Sequence, residues 1–124
     1  MNDINVLVID DDDELRFNLR LFLEDEGCNC VVAQSAEIAL NIVESRSFDI
    51  AIVDLRLPGI NGEEFVIQTH PTKKIKKYII HTGSLDYVVS ESLTEIGMTN
   101  ENILYKPLDD MRDLIDKINQ ILSS

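Results

Sequence analysis

Apolar positions recur along this chain in two alternating patterns. Short, continuous β-branched runs are Ile4 to Ile9, Cys28 to Ala33, Phe48 to Val53, Tyr78 to Thr82 and Ile103 to Tyr105. Such runs are the mark of strands buried on both faces. Between them, apolar residues recur at helical spacing. Leu15, Leu19, Phe22 and Leu23 form one stripe that ends at Gly27, a natural helix stop. Ile38, Ala39, Ile42 and Val43 form a second, with Ser35 as N-cap. Glu63 to about Thr69 predicts a short helix broken before Pro71, and Ser84 or Asp86 is expected to start another ending near Gly97. Met111, Leu114, Ile115, Ile118, Ile121 and Leu122 give the last stripe. Five strands alternating with five helices predict an α/β fold. Its mostly parallel sheet has helices on both faces and right-handed crossovers.

This arrangement gives the polar residues at strand ends their interest. Asp10 to Asp13 follow the first run, and Asp54 follows the third. Thr82 ends the fourth and Lys106 follows the fifth. In a parallel sheet these ends converge on the carboxyl edge, where open α/β folds place their ligand sites. Close carboxylate pairs repel by roughly 4 kcal/mol at an effective dielectric near 20, and a hard divalent cation held by oxygens offsets this most simply. The set suits phosphoryl transfer to a carboxylate. Asp54 is the expected nucleophile. Asp11, Asp54 and the backbone carbonyl of Arg56 are expected to hold Mg²⁺, with Asp10 acting through water. Lys106 pairs with one phosphoryl oxygen and the Thr82 hydroxyl with another. Gly83 leaves the approach open.

Composition narrows the alternatives. The chain has 124 residues, enough for one domain spanning 1–124 with its own core. A net charge of -12 argues against direct binding to nucleic acid or to an anionic membrane. No run reaches the ~20 apolar residues of a membrane span. The acidic start, Met1-Asn2-Asp3, is unlike a signal peptide, so a cytoplasmic location is expected. Cys28 and Cys30 share a face of one strand and read as two small reduced residues, since zinc sites usually need four ligands. His70 and His81 read as structural or surface residues. The basic run Lys73 to Lys77 reads as a solvated loop or helix end.

Four stretches together resemble the receiver domain of two-component response regulators: Val6 to Arg16, Ile52 to Gly62, His81 to Ser84 and Tyr105 to Leu108. Asp54, Pro58 and Gly62 match the family's Asp-x-x-x-Pro-x-x-x-Gly acceptor loop. The resemblance implies a flavodoxin-like sheet of order 2-1-3-4-5 and a frequently cis Lys106-Pro107 peptide. It also implies a sensor histidine kinase or phosphotransfer protein that donates phosphoryl to Asp54. Self-catalysed loss of that group, rather than enzymatic turnover, is expected to follow. A downstream effector or output domain is implied as well, and dimerisation on activation stays open. The chain departs from the family pattern in three places. Asp13 stands where proline is frequent, and the stretch Met98 to Asn102 is about two residues longer than usual. Ile103 takes the place of the aromatic residue usually found three before the lysine, while Tyr105 is adjacent to it. A second aspartyl-phosphate chemistry, that of haloacid-dehalogenase-like hydrolases, matches Asp10 and Asp12, but Glu14 stands where Thr or Val is needed. A structural interaction domain with a vestigial acidic pocket is the third reading.

Overall fold

In the computed structural model, which describes residues 3–124, the apolar runs become five strands: β1 Asn5–Ile9, β2 Asn29–Ala33, β3 Phe48–Asp54, β4 Ile75–Thr82 and β5 Ile103–Tyr105. All neighbouring pairs are parallel, in the order β2-β1-β3-β4-β5. The helices are α1 Asp13–Asp25, α2 Ala36–Val43, α3 Gly62–Thr69, α4 Glu91–Glu95 and α5 Arg112–Leu122. The expected flavodoxin-like architecture is therefore present.

Alternation along the strands divides the core in two. Val6, Val8, Ile50, Ile52 and Ile79 face one way and pack with Leu19 and Leu23 of α1 and Leu114, Ile115 and Ile118 of α5. Leu7, Ile9, Ala51, Val53 and Ile80 face the other way and pack with Ala39, Phe65 and Leu93. Cys28 and Cys30 belong to the first layer, sharing a face as expected. Burial pushes the Cys30 thiol up to about 12, so it stays protonated at neutral pH. No helix among the described residues is long and apolar enough to cross a membrane.

Caps explain where the helices begin. Asp12 accepts from the Leu15 amide and Ser35 from the Ile38 amide. Asn61 and Glu64 form a reciprocal capping box at α3. The helix expected from Ser84 or Asp86 is shorter than its sequence suggests: it starts only after the Ser90 cap. Side chains from elsewhere hold the segment before it. The Tyr87 hydroxyl donates to Glu63 (2.6 Å), and the Val89 amide donates to Asn100 Oδ1 (3.1 Å). The β-branched pair Val88-Val89 also disfavours helix. The fourth strand starts earlier than expected. Ile75 pairs with Phe48, drawing Lys76 and Lys77 of the basic run into β4, where Lys76 meets Asp49 at 3.3 Å.

Candidate phospho-acceptor site

Register brings the acids together. Ile9 pairs with Val53, so Asp10 and Asp54, one residue further along each strand, lie side by side at the carboxyl edge. They share the face of the sheet that α1 and α5 cover. Both are buried, at 2% and 8% exposure, while Asp11 is exposed. Oxygens of Asp10, Asp11 and Asp54 lie within 4.8 Å of one another. Lys106, from the end of β5, reaches back over the sheet edge. Its ammonium lies 3.0 Å from Asp10 Oδ2 and 3.6 Å from Asp54 Oδ1. One cation thus bridges two of the three clustered carboxylates. Burial raises the Asp54 pKa; Lys106 pulls it down, and Asp10 adds to the rise.

Local hydrogen bonds fix the shape of this edge. Asp10 Oδ1 accepts from the Asp12 amide (2.9 Å), while Arg16 Nη1 donates to the Asp10 carbonyl (2.7 Å). The Arg56 amide donates to Asp54 Oδ1 (3.3 Å), and the Gly62 amide donates to the Leu55 carbonyl (3.0 Å). Gly62 has to be glycine for a steric reason: a Cβ there would lie 2.3 Å from the Asp54 carbonyl oxygen. Thr82 is buried at the end of β4, one position beyond the residue paired with Asp54, and its hydroxyl accepts from the Ser84 amide (3.0 Å). A Cβ built on Gly83 would meet nothing within 4 Å, so that approach is open. The Lys106-Pro107 peptide is cis.

Two features are not visible in the motifs. Arg56 Nε donates to Ser84 Oγ (2.9 Å), linking the loop after Asp54 to the loop after Thr82. His81 is the residue paired with Asp54, and it is fully buried with both ring nitrogens lacking a partner. Strand alternation carries its signal, since His81 is in phase with Ile79 on the face that holds Asp54. Of the two expectations for the histidines, a surface place thus fails for His81; His70 is exposed.

The response regulator receiver domain family matches residues 6–119. The chain belongs to that family. It is similar to the transcriptional regulatory protein CpxR of Escherichia coli, with 36% identity over 121 residues, covering 94% of this chain and 48% of that protein. It is 27% identical over 108 residues to the transcriptional regulatory protein FixJ of Bradyrhizobium diazoefficiens, covering 87% and 52% of the two chains. The chain therefore spans about half the length of these curated relatives. Among solved structures, the CheY-like response regulator receiver domain protein of Methanospirillum hungatei superposes with a TM-score of 0.80. The two are 27% identical, and the match covers 98% and 95% of the two chains. This receiver is a signalling module of two-component systems rather than a turnover enzyme. Asp12, the second aspartate of the haloacid-dehalogenase-like pattern, caps α1 here by accepting from the Leu15 amide.

Proposed function

We propose that the receiver accepts a phosphoryl group on Asp54 from the phosphohistidine of a sensor histidine kinase or phosphotransfer protein. The observation that carries this reading is the buried Asp10–Asp54 pair with Lys106 bridging both. An Asp54 carboxylate oxygen attacks phosphorus, the phosphorus–nitrogen bond breaks, and the imidazole leaves with its electron pair and takes up a proton. The Lys106 ammonium then faces a phosphoryl oxygen, and the Thr82 hydroxyl turns from the Ser84 amide to donate to another. Water then attacks phosphorus, the bond between phosphorus and the Asp54 oxygen breaks, and inorganic phosphate leaves, which returns the Asp54 carboxylate and gives a self-limiting signal.

The donor set fits Mg²⁺. Three clustered carboxylates with one nearby ammonium leave uncompensated negative charge, and all their donor atoms are hard oxygens. Asp11, Asp54 and the Arg56 carbonyl would hold the ion, with Asp10 reaching it through water. When bound, it supplies charge neutralisation for the incoming phosphoryl oxygens. The remaining proposed context is cytoplasmic, with an output domain or separate effector receiving the signal and dimerisation as one route of readout.

The test is labelling by a small phosphodonor such as acetyl phosphate with Mg²⁺. The parent is expected to gain one phosphoryl group and Asp54→Asn none. Equal labelling of the two would refute the assignment.

A further inference from the structure

His81 is the polar residue that the proposed chemistry leaves without a task. It is 1% exposed, and neither ring nitrogen has a hydrogen-bond partner. A buried, unsatisfied polar group is costly, and apolar residues fill the equivalent layer below it at Ile79, Ile52 and Val8. A leucine would pack here without that cost. Such a group is free to take up a donor brought to it by a neighbouring side chain.

The surroundings say what that is. His81 pairs with Asp54 on one side and with Leu104 on the other, so its ring lies between the acceptor and the strand that carries Lys106. The Lys106 amide donates to the Thr82 carbonyl (2.7 Å), which ties the base of that side chain to the residue after His81. Lys106 and His81 also line one cleft of about 510 Å³, with Leu15, Asn18, Leu108 and Met111. Burial first, and then the Lys106 cation, push the ring pKa down to about 4. At neutral pH the imidazole is uncharged, and one nitrogen offers a lone pair. An ammonium has three N–H donors, and in the resting state Lys106 directs itself at Asp10 and Asp54. A phosphoryl group on Asp54 brings new acceptor oxygens to that ammonium, whose three donors are then redistributed among its neighbours.

We propose that His81 is a positioning residue for Lys106: in the phosphorylated state a ring nitrogen accepts a hydrogen bond from the Lys106 ammonium and holds it toward the phosphoryl oxygen. The inference rests on the reading of Asp54 as acceptor. It assigns to His81 a part in how fast the site loads and how well it holds the cation.

Three measurements on the full chain test it. The first is acetyl phosphate labelling with Mg²⁺ of the parent, His81→Leu, His81→Asn and His81→Gln. His81→Leu is expected to melt at or above the parent temperature, because it removes an unsatisfied group, yet to label about five- to tenfold more slowly. At least one of the two amide variants, whose carbonyl oxygen restores an acceptor, is expected to recover most of the rate. The second measurement repeats His81→Leu in a Lys106→Ala background, where it is expected to have no further effect. The third follows the ring nitrogens by ¹⁵N NMR as beryllofluoride and Mg²⁺ are added. The unprotonated nitrogen is expected to shift in the parent and not in Lys106→Ala. Parent-like labelling of His81→Leu, a slowing that persists without Lys106, or an unmoved ¹⁵N resonance would each overturn the inference. Failure of the parent itself to label would instead overturn the reading of Asp54.

Discussion

Asp54 holds its charge against its surroundings. Burial raises its pKa above the ordinary 3.8, and the Lys106 cation only partly offsets that. An acid raised on folding binds more protons in the native state, so its contribution is most favourable at low pH and is lost as pH rises through the folded value. Without divalent cations, Asp54→Asn is therefore expected to melt above the parent at pH 7, the gap closing as pH falls toward 3.8. Thermal melts across that range check this, and an equal or lower melting temperature at pH 7 would count against it. Lys106 acts in the other direction. It is 23% exposed and neutralises the nearly fully buried Asp10, so Lys106→Ala leaves a buried carboxylate unpaired. The expected loss is up to about 3 kcal/mol by chemical denaturation. The variant should still label slowly but show a weakened spectral change with beryllofluoride.

At the scale of elements, the loops after β3 and β4 hold the residues of the proposed site around Asp54 and Thr82. Gly62→Ala would drive a methyl group into the Asp54 carbonyl and the Leu55 Cα, both rigid backbone. A loss of about 1–3 kcal/mol is expected, together with slower labelling, because the strand end that carries Asp54 must shift. A cost within a few tenths of a kcal/mol would show that the loop yields freely. The segment Gly83 to Ser90 is tied down by side chains rather than by helix bonds: Arg56 to Ser84, Tyr87 to Glu63, and the Tyr105 hydroxyl to the Tyr87 carbonyl (2.8 Å). It also carries Leu85 at 75% exposure. Ile103 is buried in β5 and stiff at χ1, so it offers no rotating ring. Activation is then expected to run from Thr82 and Arg56 into this loop and α4. Amide exchange with and without beryllofluoride tests the route. Changes in Gly83 to Gly97 are expected, and changes confined to the Asp54 loop would exclude it.

Across the whole molecule, a net charge of -12 favours cation binding and disfavours the compact state by self-repulsion. Three of those charges meet at one edge. Mg²⁺ at about ten times its Kd should stabilise the fold by about 1.4 kcal/mol, or about 5 °C for a chain of this size. Asp11→Ala removes the exposed ligand and should abolish most of that gain. Sodium chloride at equal ionic strength should give a smaller rise with no saturation. Identical curves for the two salts would mean screening alone.

The order of elements, the two-faced core and the convergence of Asp10, Asp54, Thr82 and Lys106 were legible in the chain, because period-two and period-3.6 patterns are local and parallel strands share one direction. The loop from Asp54 through Pro58 to Gly62 was legible through its likeness to the receiver family's pattern, and the structure adds the steric reason for glycine at 62. Helix α4 and its end near Gly97 were legible too, but its late start was not, since what keeps Ser84 to Ser90 out of it are contacts with Glu63 and Asn100, distant in sequence. Nor was the early start of β4, where pairing with β3 overrides the solvated look of Lys76 and Lys77. His81 shows the division most clearly. Its identity and its face follow from sequence and alternation, but its lack of any partner is a property of three neighbouring strands and two covering helices. Hydrogen-bond satisfaction is settled only once every neighbour is in place.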